Sequence, residues 1–308
     1  MRLRNLDFSL RQLQYVLAVE SEGGFARAAR ACGVSQPALS AQVARLEEAL
    51  GVRIFDRDRR RTTVTQAGRL LLDRMQVVVD GAAAIDDLAA TLVDPFRLPL
   101  RVGVIPTIAP YLLPAAVDAI RAALPRLRIH WLELKTAACE AALAEGTLDA
   151  MIIADPPTLE SAEHVMLGFE PFALIVPTDS AWQGPVELSQ LHGVGLLLLE
   201  DGHCLRDHTM SLCMQPDTTE QPYQATSLPT LVQMVAEGMG ISVLPASALP
   251  VEVPRARVRA LPFVAPEVGR SLRLGWRRGG ARADLIASLA PPLQQVVADF
   301  ASTREAHP

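Results

Sequence analysis

Apolar residues change their spacing twice along the chain, and the changes divide it into three parts. In Leu10–Ser21, Leu13, Val16, Leu17 and Val19 recur near helical spacing, and Gly23-Gly24 ends the segment. Phe25–Ala31 reads as a second, Ala-rich helix closed by Cys32-Gly33. Ser35-Gln36-Pro37 opens a third: Ser35 can cap it, and Pro37 fits a first turn where a missing N–H costs nothing. Its buried face is Leu39, Val43, Leu46 and Leu50, and Gly51 stops it. Val52–Val64 then pairs apolar Ile54 and Phe55 with a run of arginines and Thr62-Thr63-Val64, the pattern of a short basic hairpin.

The second part, Gln66–Val93, reads as one long helix. Leu71, Met75, Val78, Ala82, Ile85, Ala89 and Leu92 alternate spacings of four and three, the pattern of a coiled-coil seam. The competing reading is an amphipathic helix packed on its own domain. The seam is preferred, and Asp94-Pro95 stops the helix.

From Leu98 onward short strands alternate with helices. Strands are expected at Leu100–Ile105, Arg128–Leu134, Ala150–Ala154, Leu196–Leu199, Ile241–Leu244 and Leu272–Trp276. Helices are expected at Leu112–Leu124, Thr136–Glu145, Leu228–Glu237 and Leu285–Ala301. The alternation implies an α/β domain with mostly parallel sheets. Pro156-Pro157 and the Pro-rich stretch Val251–Pro266 read as crossings between two lobes. The expected division is 1–65, 66–94 and 98–308.

Composition adds an asymmetry. Residues 1–65 carry 11 Arg against 7 Asp and Glu, while the remainder is net acidic. A basic head on an acidic body fits nucleic-acid binding. Met1–Leu10 has no apolar core of a secretion signal, and no apolar run approaches a membrane span, so a cytoplasmic protein without membrane contact is expected. Its four cysteines, Cys32, Cys139, Cys204 and Cys213, are then reduced thiols by default. No Cys/His spacing supports a metal site, and no cofactor is expected.

Three short helices followed by a basic hairpin make a winged helix-turn-helix pattern. Such a unit presents the first turn of one helix to base edges while flanking cations hold phosphates. Ser35, Gln36, Ser40 and Gln42 supply short hydrogen-bonding groups around Pro37. Arg27, Arg30, Arg45, Arg57 and Arg59–Arg61 supply phosphate contacts. The bland alternative is a plain helical subdomain with solvated arginines.

The segments Phe25-Ala26-Arg27-Ala28-Ala29 and Val34-Ser35-Gln36-Pro37-Ala38-Leu39-Ser40 resemble the head of LysR-type transcriptional regulators. Leu46-Glu47, Leu50-Gly51, Phe55-Asp56-Arg57 and Thr65-Gln66-Ala67-Gly68 continue the likeness, which covers residues 8–93. The resemblance implies a winged helix-turn-helix, a dimerising linker helix and a two-lobed effector domain of periplasmic-binding-protein-like α/β fold. It implies double-stranded DNA with partly palindromic sites, RNA polymerase and a tetramer of like chains as partners, and no enzymatic activity.

Leu199–Asp207, with Cys213 nine residues beyond Cys204, raises the question of what the effector domain senses. A thiolate attacks a peroxide oxygen, so a sensor cysteine needs a lowered pKa. A helix opening after Asp201-Gly202, with His203 and Arg206 as neighbours, could lower it. The resulting sulfenic acid condenses with a second thiol, for which Cys213 is the candidate. On one helix the two cysteines would stand ~13 Å apart along the axis and face opposite sides, so a disulfide would need the segment to unwind. Spacing alone leaves the blander reading open, in which both cysteines are buried hydrophobes.

This segment resembles the redox segment of the family's peroxide-sensing members, and the likeness extends to Gly103–Pro114, Glu133–Thr136, Ala225–Leu228 and Gly240-Ile241. It implies that Cys204 is the peroxidatic cysteine and Cys213 the resolving one. It also implies that Thr107, Thr136, His203, Asp207 and Arg270 line a pocket for hydrogen peroxide. His208–Leu212 departs from those members. The alternative is a regulator that binds a small metabolite between the lobes, its cysteines inert.

Overall fold

The computed structural model of the protein describes residues 6–58, 61–212, 224–264 and 268–302. It divides into two compact units, Met1–Ala90 and Thr91–Pro308.

In the first unit, helices α1 (Leu10–Ser21), α2 (Phe25–Ala31) and α3 (Gln36–Leu50) precede strands β1 (Phe55–Asp58) and β2 (Arg61–Val64). The strands form an antiparallel wing, and α4 (Gln66–Val93) leads onward. The helix ends follow the chemistry of their caps. Ser9 and Gln12 form a capping box on α1, Ser35 caps α3, and Gly51 closes α3 in the left-handed conformation. Leu39, Val43 and Leu46 are fully buried as expected, together with Val16, Ala28 and Ile54. Leu50 is only partly buried.

The start of α4 belongs to this core. Leu72 and Met75 are buried in it, and Leu71 packs against it. A Cβ on Gly68 would stand 2.4 Å from the Ile54 carbonyl oxygen, so a glycine is required where α4 crosses the wing. The first turns of α4 pack on their own unit, whereas Val78, Ile85, Leu88, Leu92 and Val93 are exposed.

The second unit begins with β3 (Leu100–Val104), α5 (Ala109–Ala123), β4 (Ile129–Glu133), α6 (Thr136–Glu145) and β5 (Ala150–Ala154). The long β6 (Ala162–Pro177) follows, then β7 (Leu198–Leu199), α7 (Cys204–Leu212), β8 (Gln224–Ala225) and α8 (Leu228–Ala236). Next come β9 (Ser242–Pro245), α9 (Leu249–Glu252), β10 (Val258–Pro262) and β11 (Gly269–Arg277). The chain finishes with α10 (Ala283–Ala287) and α11 (Ala290–Ser302), where one helix was expected.

Seven strands form one sheet in the order β10-β6-β11-β5-β3-β4, with β9 also on β6. The expectation of mostly parallel pairing is corrected. The β3–β4 and β3–β5 pairs are parallel, but β6 and β11 make four antiparallel pairings with β5, β9, β10 and each other. The parallel part is the βαβ run visible in the sequence. The antiparallel part arises because the chain leaves and re-enters the first lobe along β6 and β11. Neither β6 nor β10 was expected, because β6 changes from a half-buried to a fully buried strand and so lacks one period.

Two apolar cores result. One gathers β3, α5, β5, β11 and α11; the other gathers the second half of β6 with β7, α8, β9 and β10. The lobe crossing therefore lies within β6, not at Pro156-Pro157. β6 pairs with β11 through Pro171 and with β9 from Phe172 onward. Phe263 and Val268 still belong to the second core, and the chain re-enters the first lobe along β11; residues 265–267 lie outside the described residues.

Candidate functional site

On the first unit, Arg30 in the last turn of α2, Ser35, Gln36 and Pro37 at the start of α3, and Arg45 further along α3 are exposed. The Ser35 hydroxyl accepts from the Ala38 N–H at 3.4 Å, so it serves the helix first. Ser40 is half-buried. Gln42 is also half-buried, and its Oε1 accepts from Gln12 Nε2 at 3.1 Å, so it is at least partly committed to joining α3 to α1. Arg57 lies on β1, and Arg59 lies outside the described residues. Glu47, which sequence reasoning did not single out, accepts from the N–H groups of Ile54 and Phe55 at 2.8 and 3.0 Å and fixes the wing to α3.

The second site lies where the two lobes meet. Cys204 is the first residue of α7, whose Leu205 belongs to the second lobe's core, yet Cys204 itself packs against the first lobe's core. Thr136 is the first residue of α6 in the first lobe. Thr107 follows β3 in a buried turn. Arg270, on β11, is the largest fully buried side chain of the described residues. Its Nε donates to Glu170 Oε2 at 2.7 Å, Nη1 to Thr107 Oγ1 at 2.8 Å and Nη2 to the Thr107 carbonyl at 3.1 Å. Both ions of the Arg270–Glu170 pair are fully buried, so each depends on the other and on its hydrogen bonds. The other Glu170 oxygen accepts from the Ser247 N–H at 3.2 Å.

Burial holds the Cys204 thiol above its ordinary value near 9. The Arg270 charge and the Thr136 hydroxyl pull it down and Asp155 pushes it up, but desolvation dominates. The expectation of a thiol poised by lowered pKa is therefore corrected for the resting protein: Arg270, not His203 or Arg206, is the cation that favours the thiolate, and burial outweighs it. The Thr136 hydroxyl favours the thiolate, yet its buried Oγ1 has no partner at full hydrogen-bonding geometry among the described residues.

His203, which precedes Cys204 in the chain, is buried, its Nε2 also unpartnered among the described residues and 3.6 Å from Glu200 Oε1. Burial first, and then Lys135, hold it below its ordinary value near 6.5. Lys135 Nζ bridges the lobes, donating to Glu200 Oε1 at 2.7 Å and to the Asp201 carbonyl at 3.0 Å.

Thr107, Thr136, His203, Cys204 and Arg270 are thus brought together. Asp207 is not, which corrects the expectation for it: its side chain is exposed in the first turn of α7. A carboxylate there keeps both its hydration and the favourable helix terminus, whereas the pocket already holds a buried acid in Glu170. Cys213 lies outside the described residues. Cys139 is fully buried, its thiol pushed up to about 12 by desolvation, which fits an inert packing residue.

Sequence reasoning also missed Glu170, Lys135, Asp155 and His208. Glu170 carried a usable signal. It is a lone carboxylate in the apolar run Leu167–Val176, and a buried acid needs a partner.

Residues 10–69 match the family model for bacterial regulatory helix-turn-helix proteins of the lysR family, and residues 94–296 match the LysR substrate binding domain. The chain is 38% identical over 289 residues to the DNA-binding transcriptional dual regulator OxyR of Escherichia coli, covering 93% of this chain and 95% of that one. It is 37% identical over 305 residues to a probable hydrogen peroxide-inducible genes activator of Streptomyces viridosporus, covering 97% and 98%. Among solved structures, a cysteine mutant of Corynebacterium glutamicum OxyR with bound hydrogen peroxide aligns with a TM-score of 0.66 and 30% identity over 99% of this chain and 97% of that one. With a helix-turn-helix unit, a LysR effector domain and this degree of identity along nearly its whole length, the chain belongs to the LysR family of transcription regulators and, within it, to the OxyR group.

Proposed function

We propose that this protein is a peroxide-responsive transcription regulator in which Cys204 is the sensing residue. The observation that carries the reading is the convergence on Cys204 of the buried Arg270 guanidinium and the unpartnered Thr136 hydroxyl, at the seam between the lobes. A small, polar, hydrogen-bonding molecule suits such a place, and hydrogen peroxide offers two donors and several lone pairs. The Cys204 sulfur attacks one peroxide oxygen and the O–O bond breaks. The departing hydroxide takes up the thiol proton as water, leaving a sulfenic acid. Arg270, Thr107 and Thr136 are the groups assigned to the departing oxygen, and His203 to the wall of the pocket.

The resolving thiol is assigned to Cys213, whose attack on the sulfenic sulfur forms the disulfide and releases a second water. Helix geometry says what this requires. Leu212, at the end of α7, lies ~12 Å along the axis from Cys204, and the next Cα is within ~3.8 Å of it. With α7 intact the two cysteine Cα atoms are thus at least ~8 Å apart, beyond the ~7 Å a disulfide tolerates. Oxidation therefore unwinds the end of α7, and this is the conformational signal.

The output is altered binding to double-stranded DNA at partly palindromic sites, and with it the recruitment of RNA polymerase to antioxidant genes. Arg30, Ser35, Gln36, Pro37, Ser40, Arg45, Arg57 and Arg59 are assigned to DNA, with Gln42 at the margin. The division into a head (1–65), linker helix (66–94) and sensor (98–308) goes with this reading. The exposed apolar residues of α4 support dimerisation through it, within a cytoplasmic tetramer. Among the described residues no helix is long and apolar enough to cross a membrane.

The test is to treat fully reduced protein with a slight excess of hydrogen peroxide and map unreduced peptides by mass spectrometry. A Cys204–Cys213 crosslink that vanishes in Cys204→Ser is expected. Unmodified Cys204 would overturn the reading. A sulfenic acid without the crosslink would remove Cys213 from it.

A further inference from the structure

We propose that Asp155 and His208 are positioning residues for the redox reaction, a cross-lobe latch that holds α7 against the first lobe and sets the rate of the second step, not the first. The inference rests on the peroxide-sensing reading and deepens it.

His208 follows Cys204 by four residues, one turn along the same face of α7. Its Nε2 meets the carboxylate of Asp155, which immediately follows β5 in the first lobe. Asp155 is the one non-glycine residue with positive φ, +66°, among the described residues, and its N–H donates to the Ser271 carbonyl at 2.8 Å. A backbone conformation that L residues rarely adopt is held in place by the surroundings, at the position whose side chain reaches the sensor helix. His208 also meets the Phe172 ring edge-on, with centroids 6.0 Å apart, at the point where β6 passes into the second lobe. Asp155 is also near enough to Cys204 to oppose its ionisation, so the first step is read in the His208 variants, which keep that carboxylate.

Several other contacts of α7 run to its own lobe or within the helix. Leu205 is buried in the second lobe's core, Arg206 Nη1 donates to the Leu199 carbonyl at 3.1 Å, and Thr209 Oγ1 donates to the Leu205 carbonyl at 2.7 Å. His208 and Cys204 grip the opposite lobe. Peroxide attack leaves α7 in place, so the latch need not open for the first step. Disulfide formation requires the helix to unwind, so the latch opposes it and prolongs the sulfenic acid.

The experiment follows both steps in the full-length reduced chain after rapid mixing with excess hydrogen peroxide. Dimedone traps the sulfenic acid at timed intervals, and acid quench with mass spectrometry reads the disulfide. His208→Leu keeps bulk against Phe172 but has no donor for Asp155. It is expected to leave thiol loss within about twofold and to speed disulfide formation about three- to tenfold, the range for the net loss of one ordinary hydrogen bond between part-exposed groups. His208→Gln restores an N–H donor and is expected to return the second rate to near wild type, a rescue that mere packing would not produce. Asp155→Asn is expected to speed the second step as well, and to add little in combination with His208→Leu. If His208→Leu fails to fold, Asp155→Asn and His208→Gln carry the test. Second-step rates that match wild type in the Leu and Asn variants, or that fall, overturn the latch while leaving the sensor reading intact. A wild-type protein that forms neither sulfenic acid nor disulfide overturns both.

Discussion

Helices α3 and α7 both begin at a residue assigned to function, and they are built in opposite ways. α3 is 15 residues long, capped by Ser35 and Gly51, with Leu39, Val43 and Leu46 fully buried beneath it. Its polar groups at the first turn are exposed while its core is secured from below. α7 has nine residues, and its first residue, Cys204, is turned inward against the opposite lobe. Its grip on the opposite lobe runs through the part-buried pairing of His208 with Asp155, 53 positions away in sequence. A helix that reads DNA is useful when it does not change. A helix that reports an oxidation is useful when its grip can be released, so it comes from the less securely packed part of the fold.

This contrast can be broken most severely at the thiol. Cys204→Ser is expected to abolish peroxide-induced crosslinking and the change in DNA binding, while DNA binding by the reduced form stays intact, as gel-shift assays under both conditions would read. Survival of the peroxide response would place the sensor elsewhere. Next is Arg270→Met, which leaves Glu170 buried without its partner and is expected to cost about 3–5 kcal/mol in chemical unfolding of the second unit. The same change removes the largest influence favouring the thiolate, so the pH profile of Cys204 alkylation should move further upward. A smaller effect is expected on the other side of the comparison. Ser35→Ala loses the cap of α3 and is expected to cost about 1 kcal/mol of head stability, with no change in the peroxide reaction. A slower peroxide reaction in this variant would contradict the modular assignment.

The smallest effect concerns His203. Its folded-state pKa is depressed below about 6.5 by burial and Lys135, so between those two values the unfolded chain binds more protons. Stability therefore rises with pH across that window and is lost as pH falls through it. His203→Gln is expected to flatten this slope in thermal unfolding measured from pH 7 down to about pH 5. An unchanged slope would move the acid sensitivity to other groups.

What could be read in the chain follows the same division. The head was legible almost to the residue, because its signals are local: helical period, Ser35 and Gly51 as caps, and a wing of alternating residues beside arginines. The parallel run from β3 to β5 was legible for the same reason. The long strand β6 was not, because its exposure changes along its length where it passes from one lobe to the other. The cluster at Cys204 was named through family resemblance, and its electrostatics were read with the wrong sign. Asp201-Gly202 and Arg206 pointed to an activated thiol, whereas burial, a property of the folded surroundings, raised its pKa. Asp207 was misplaced for a related reason, since proximity in sequence on a helix does not tell which face meets the pocket.

The sequence by itself determined the winged head, the long helix that follows it and the α/β alternation of the second unit. Caps, periods and motifs act over a few residues, so neighbours in the chain are enough to specify them. Only the tertiary structure decided that Arg270 is locked between Glu170 and Thr107, that burial outweighs Arg270 at the Cys204 thiol, and that Asp155 reaches across to His208. Those are effects of desolvation and charge between residues 50 or more positions apart, and their sign depends on what packing brings within a few ångströms.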